Sequence, residues 1–463
     1  MGWLFGWFLS IVVSAYCVVN AYSDYCSSTI DANVVATMFS NCNPTRDMTN
    51  CPQEGWLSRF KDSDMQSGRK KHYNIINIGF NKGYNIATWL NVFAPSSNVD
   101  SKVWHEGLKK VQNTNSNRFF CGVCNDCNTP PFISSRPITA GQIEPALHIV
   151  GVDLNKHNID LVTSVMQIVR NAHNISENRL TLKLLHAAGG SVNATTTASD
   201  ASPNKLKVPK CSAGNEICKI PDPSDPDPPD EQTGAEFEYV DVVGVEDLIQ
   251  HLLYVRPPTR EANMKQKTRN AKPTIPLNSV PKAHNTDRMI DILHIDTEGN
   301  DCEVLKTATE TLKAQRVRAL IFEYHRLGPW GSTKLKDVVE SIAQNNMECF
   351  FMGQNRLWPI SGKCWDPQYE FHEWSNVMCI LRSDPWHQAI QPIVQTLAGL
   401  RAPFPDGTLL KAYRATAIYL IQDGKRRGFM NYEAFTKQKF TAPVIATQHC
   451  NAEYLYPEGD MFV

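Results

Sequence analysis

The chain has 463 residues, with 46 lysines and arginines against 47 aspartates and glutamates, for a net charge of −1. That balance provides no broad positive field, so neither nucleic acid nor an anionic membrane surface is expected as a partner. A hydrophobic content of 42% over this length is enough for two or three domains with substantial cores.

Residues 2–21 carry no charged side chain and end in Val19-Asn20-Ala21, a small-residue cleavage pattern. A secretory signal peptide over 1–21 is expected, with an uncleaved signal anchor as the alternative because the run is nearly long enough to span a bilayer. Only as an anchor would it bring the chain to a membrane. Either reading places the rest in the secretory pathway (the Golgi or ER lumen) or outside the cell. Cysteine usage agrees. Setting aside Cys17 in the leader and Cys302, expected as a buried free thiol on a helix face, an even twelve of the 14 remain. That number suits disulfides in an oxidising compartment. The tripeptides at Asn174 and Asn193 fit N-glycosylation.

Residues 22–70 read as a polar, cysteine-bearing lead-in. The apolar run 75–78 predicts a strand, Gly79 and Gly83 bracket a turn, and 84–92, with Ile86, Trp89 and Leu90, continues as a helix. Glycines there let the backbone approach a ligand, and the helix start offers free N–H groups. An insertion at 93–145, rich in Asn, Ser and Pro, contains Cys121, Cys124 and Cys127. Zinc would need a fourth ligand, for which His105 is nearest upstream. Disulfides are the favoured use in a secreted chain, and no metal site is assigned. A second strand over 147–153 ends in Asp153, and the helix after it has Ile159, Val162, Val165, Met166 and Val169 on one face. A third strand over 180–185 leads into Ala187-Ala188-Gly189-Gly190. The order β-α-β-α-β argues for a parallel, doubly wound sheet.

Residues 191–235 interrupt the pattern with an acidic proline tract at 221–231, read as a solvated linker. A strand over 236–243 and a helix over 245–253 follow, then a basic loop at 256–288. That loop is read as solvated, although a basic loop near a site would suit an acidic glycan. The next unit is the most informative. Ile292, Leu293 and Ile295 end in Asp296-Thr297-Glu298-Gly299; a helix carries Cys302, Leu305, Ala308 and Leu312; a strand over 319–322 ends on Glu323. Ligands of open parallel sheets sit at the carboxyl ends of strands, where Asp296, Glu298 and Glu323 fall. The competing reading is that Glu298 and Asp301 only favour a helix start by charge. Leu335, Val338, Val339 and Ile342 make a further helical stripe, and 348–352 and 376–381 read as antiparallel edge strands. Trp358, Trp365, Tyr369, Phe371 and Trp374 between them suit either stacking on an acceptor or core packing. From 400 onward a small β-rich module is expected, with a hairpin at Asp423-Gly424 and a helix from Asn431.

Over roughly 70–382 this order resembles the FkbM-type methyltransferases, S-adenosylmethionine-dependent enzymes of the Rossmann-like class. The stretch Asn77-Ile-Gly79-Phe-Asn81-Lys-Gly83 is similar to the family's Asp-x-Gly-Ala-Asn-x-Gly. Ile295-Asp296-Thr297-Glu298-Gly299 is similar to its Ile-Asp-x-Glu-Gly, and Ile321-Phe322-Glu323 to its strand ending in Glu. Ala187-Ala188 matches the small pair after the third strand, and 375–377 the closing strand. The resemblance implies a doubly wound Rossmann-like α/β sheet over 71–385, mostly parallel with an antiparallel edge, beside the β-rich module at 400–463. It implies S-adenosyl-L-methionine held by Asn77, Gly79, Asn81, Gly83, Asp153 and Ala187. It also implies Asp296 or His325 as general base, with Glu298 orienting. Asn77 replaces the family's usual acid, which leaves one cofactor-loop contact neutral, and His294 replaces a usual lysine. The C-terminal module lies outside the family and resembles a hairpin-helix repeat of cell-surface proteins. The activity implied is O-methylation of a glycan or small glycosylated metabolite. The alternatives are a non-catalytic secreted or surface protein that keeps the fold as scaffold and, more remotely, an NAD-dependent oxidoreductase, for which the G-x-G-x-x-G loop is lacking.

Overall fold

The apolar runs of the sequence become strands of one large sheet in a computed structural model. It describes residues 56–68, 72–112, 144–190, 205–209, 237–253, 289–353, 357–394 except 366, 371 and 373, and, further on, 407–411, 417–438 except 424, 440, 444–446 and 459–462. In chain order the main elements are α1 (Trp56–Ser67), β1 (His72–Ile78), α2 (Tyr84–Phe93), α3 (Ser101–Gln112), β2 (Ala146–Asp153), α4 (Lys156–His173) and β3 (Leu180–Gly189). Next are β4 (Lys205–Pro209), β5 (Phe237–Val243), α5 (Val245–Leu253), β6 (Ile290–Ile295), α6 (Asp301–Lys306), α7 (Thr309–Lys313) and β7 (Val317–Tyr324). Then come α8 (Leu335–Ala343), β8 (Met347–Met352), β9 (Leu357–Pro359), β10 (Ser375–Leu381) and α9 (Pro385–Ile390). The last are β11 (Leu409–Lys411), β12 (Tyr419–Gln422), β13 (Lys425–Gly428), α10 (Tyr432–Lys437) and β14 (Val444–Ala446).

The chain divides into two compact units, the larger spanning 53–349 and 372–392. Its strands lie in the order β4-β5-β3-β2-β1-β6-β7-β10-β8. The run from β5 to β7 is parallel throughout. β4 at one side and β10 at the other run antiparallel to their neighbours. Every residue of β6 is buried, as expected of a central strand covered on both faces. Succession moves from β1 outward through β2 to β3, then restarts on the other side of β1 with β6 and β7. The reversal lies between β1 and β6, and a crevice opens there at the carboxyl ends of the strands. The doubly wound sheet and the separate C-terminal module are therefore as the sequence implied.

Several local expectations change. The lead-in ends in a helix, α1, that buries Trp56, Leu57 and Phe60, with Phe60 stacked 4.1 Å from Trp386. The insertion at 93–145 begins with the amphipathic helix α3, whose Trp104 is fully buried and donates from Nε1 to the Lys82 carbonyl at 2.8 Å. β4 is a strand within 191–235, and β3 runs on through Ala187 to Gly189. The helix expected after Glu298 is two helices. Thr307 separates them: its Oγ1 donates to Val304 O and accepts from Val245 N. The predicted stripe of Cys302, Leu305, Ala308 and Leu312 is nonetheless buried, and Cys302 is a free thiol. A disulfide, Cys349–Cys379, links β8 to β10. His105 hydrogen-bonds the Tyr84 hydroxyl at 2.7 Å. The 1–21 segment, Cys121 to Cys127, Asn193, and the 221–231 and 256–288 tracts lie outside the described residues. Among the described residues no helix is long and apolar enough to cross a membrane.

In the smaller unit, the end of β8 pairs antiparallel with β9. Trp358 and Tyr369 are buried there, so these two of the expected aromatics pack a core. A second sheet has the order β13-β12-β11-β14. The predicted hairpin joins β12 to β13 with Gln422 opposite Lys425, and Asn431 Oδ1 accepts from Ala434 N to cap α10.

Candidate active site

The first wall of the crevice is the exit of β1. Gly79 has φ +83°, and a Cβ there would lie 1.6 Å from the Asp296 carbonyl oxygen. Its N–H donates to Val152 O, while Asp296 N–H donates to Ile78 O, each at 2.8 Å. Glycine is thus required where the ends of β1 and β6 meet, a demand of chain against chain. Asn81 follows in a left-handed conformation at φ +45°, and its N–H donates to Asp153 Oδ2 at 2.9 Å. Asp153 also accepts from Asn155 N–H at 2.8 Å and from the Asn158 amide at 3.3 Å. Burial raises its pKa to about 6 against the lowering effect of these bonds. Asp153 therefore fastens the glycine loop to the end of β2. Asn81 Oδ1, by contrast, is buried without a hydrogen-bond partner.

Two residues expected to hold cofactor lie elsewhere. Gly83 starts α2 at φ +79°, and the space a side chain would fill is taken by Trp104 and Val162. Asn77 is wholly buried and accepts from His294 Nδ1 at 3.1 Å on the neighbouring strand. Burial lowers His294 to about 4, so the ring is neutral. The two departures from the family pattern are thus one neutral pair in place of an acid and a lysine. Exchanging both members avoids stranding one buried charge.

The second wall is the turn after β6. Glu298 sits at φ +54°, a left-handed conformation that costs a non-glycine residue about 1–2 kcal/mol. Gly299 at φ +114° lies where a Cβ would come within 3.0 Å of Leu327 O. Asp301, fully buried, accepts from Thr297 Oγ1 at 3.0 Å and from Glu323 N–H at 3.2 Å. Asn300 Nδ2 donates to Gly189 O at 2.9 Å. Asp301 and Asn300 thus bind the turn to β7 and β3, and Glu298 lines the opening. Gly79, Asn81, Asp153, Ala187, Asp296 and Glu298 line a cleft that is open to solvent.

Asp296 and Glu323 lie close enough for each to shift the other's proton affinity. Asp296 is pushed well above the usual carboxyl range, first by burial and then by the charges of Glu323, Glu298 and Asp301. Glu323 is raised to about 8, again mainly by burial, with Asp301 and Glu298 adding and Trp374 opposing. Such a pair holds a proton near neutrality, with Asp296 as its keeper. Trp374 Nε1 donates to Glu323 Oε1 at 3.0 Å, and its ring stacks on His325 with centroids 4.5 Å apart.

His325 does not fit the role of general base. It is 1% exposed, and its Nδ1 accepts from Leu327 N–H at 3.1 Å. That bond assigns the proton of the neutral ring to Nε2, which lies 3.8 Å from Glu323 Oε2. Burial lowers its pKa to about 4. The basic nitrogen is already engaged, so proton acceptance falls to the carboxyl pair. Glu323 was visible in sequence only as a strand end, and Trp374 only as one aromatic among five. Among the described residues no three His, Cys, Asp or Glu side chains are arranged to hold a metal ion.

Residues 184–348 match the family model of the methyltransferase FkbM domain. No curated protein and no solved structure matches the chain. The matched region runs from within β3 into β8 and includes the acidic turn and Glu323. The acidic wall of the cleft thus lies within the region that is similar to the methyltransferase FkbM domain.

Proposed function

We propose that the chain is an S-adenosylmethionine-dependent O-methyltransferase. Its acceptor is a hydroxyl of a glycan or small glycosylated metabolite in the secretory pathway. The observation that carries this reading is the Asp296–Glu323 carboxyl pair beside a cleft at the sheet's reversal point. A hydroxyl that becomes a methyl ether must give up its proton, and a carboxyl near pKa 8 is matched to receive it.

The cleft suits the cofactor's chemistry. Asn81 Oδ1, buried and unpaired, is the complement of an ammonium group. Asp153 stands at the end of β2, where an acid meets ribose hydroxyls in dinucleotide folds. Ala187, small and 3% exposed, leaves room beside it. When bound, the cofactor supplies an electrophilic methyl group on sulfur. The protein's part is to align the acceptor hydroxyl, exclude water and take the proton at the ionised fraction of Glu323, which grows as pH approaches about 8. The Cys349–Cys379 disulfide and the uncharged run at 2–21 support a luminal setting.

The test is transfer from S-adenosylmethionine, tritiated on its methyl group, to an array of neutral and acidic glycans by the full chain. Alkali-stable labelling that is lost in Asp296→Asn is expected. Undiminished labelling in that variant, or an alkali-labile product, contradicts the reading.

A further inference from the structure

Large aromatic side chains of the larger unit are generally buried. Trp56, Trp89, Trp104, Trp330 and Trp386 are all at or below 3% exposure, whereas Trp374 is 43% exposed. Yet Trp374 is not loose. Its Nε1 is anchored on Glu323 and its ring rests on His325. Holding the ring from two sides removes most of the entropy that a ligand would otherwise have to freeze. Beneath it, Glu323 Oε2 and His325 Nε2 are buried with no hydrogen-bond partner. One is an acceptor and the other, by the tautomer assigned above, a donor. The two atoms face one another at 3.8 Å under the ring.

We infer that Trp374 is the acceptor platform of this site, and that it takes the apolar face of an uncharged sugar ring. The inference rests on the methyltransferase reading and names its substrate class. Aromatic rings with a polar tip present an apolar face for such stacking while the tip stays hydrogen-bonded. The charge of the ligand follows from its surroundings. The negative charges of Glu298 and Asp301 act on this end of the sheet, where they raise the proton affinities of Asp296 and Glu323. An acceptor carrying its own carboxylate would meet like charge, a repulsive element that discriminates against acidic sugars.

The experiment is saturation-transfer NMR of the full chain with methyl β-galactopyranoside and, separately, glucuronate. Calorimetric titration of S-adenosylmethionine is run on the same samples. The expected result is saturation of the galactoside ring protons in the wild type and in Trp374→Phe, at least tenfold weaker in Trp374→Ala, with weaker transfer to glucuronate. Equal transfer in Trp374→Ala, equal or stronger transfer to glucuronate, or no transfer to the galactoside in the wild type overturns the platform. If S-adenosylmethionine binds while the galactoside does not, only the platform fails. If S-adenosylmethionine does not bind, the methyltransferase reading fails and takes the acceptor role with it.

Discussion

Carboxylates converge at both ends of the central strands, three at the amino end and four at the carboxyl end. At the amino end Asp64, Asp291 and Asp384 surround Arg318 with contacts of 2.7–2.9 Å, and the guanidinium lies 3.7 Å over the Trp386 ring. Burial works to lower the arginine's pKa, but the bonds to Asp64 and Asp384 and the nearby charges hold it above its usual value. These groups join α1, β6, β7 and the start of α9. At the carboxyl end, Asp301 is met by Thr297 and a main-chain N–H, and Glu323 by an indole. One set is gathered on a guanidinium and serves as a lock. The other is left to raise its own proton affinities into the range where proton transfer at neutral pH is practicable. The same residue type does opposite work depending on whether an arginine is enclosed with it.

Breaking the lock should have the largest effect. Arg318→Met strands three buried carboxylates and is expected to cost about 3–5 kcal/mol in urea unfolding. A loss below about 1 kcal/mol would show that the network is not a lock. The mirror substitution at the other end, Asp296→Asn, should leave stability unchanged or raised, because it relieves repulsion. Methyl transfer should nevertheless fall by about 10²-fold or more in initial-rate assays.

A pH series sharpens the contrast further. Glu323 holds its proton to about 8 in the fold, against 4.5 ordinarily, and Asp153 and Asp301 hold theirs to about 6, against 3.8. Between those values the folded chain binds protons that the unfolded chain has released. The stability from these groups is therefore complete below their ordinary values and lost as pH rises through the folded ones. Urea midpoints should fall as pH rises from neutrality toward about 8, and the fall should flatten in Glu323→Gln. A rising midpoint over that range, or an identical slope in the variant, contradicts the assignment.

The smallest effect is expected from restoring the family's pair behind the cleft. Asn77→Asp and His294→Lys should each destabilise, and the double variant should recover about 0.5–3 kcal/mol of coupling in a double-mutant cycle. Strict additivity would mean the two departures are unrelated.

The sheet was legible because its strands are apolar runs that end in acids, so both the order of elements and the place of Asp153, Asp296 and Glu323 follow from local pattern. What escaped was set by partners distant in sequence. Asn77 looked like a neutral cofactor contact because His294, its partner, is 217 residues away. Gly79 looked like a ligand-facing glycine because the Asp296 carbonyl that fills its space comes from another strand. His325 looked basic until the Leu327 N–H took its Nδ1. The composition of α3 is polar enough to read as loop, and only Trp104, Gly107 and Leu108 reveal a buried side. Trp374 could not be told from Trp358 by sequence, since exposure is a property of the fold.

The account turns on whether the cleft holds the methyl donor. Calorimetric titration of S-adenosylmethionine into the full chain, wild type and Asn81→Gly, addresses this directly. Glycine tolerates the left-handed conformation at this position and removes the side-chain amide with its unpaired oxygen. Binding of one molecule per chain, weakened about tenfold in the variant, is the predicted result (about 1.4 kcal/mol). Absence of binding at millimolar cofactor would contradict the account, and equal affinity in the variant would remove Asn81 from the site.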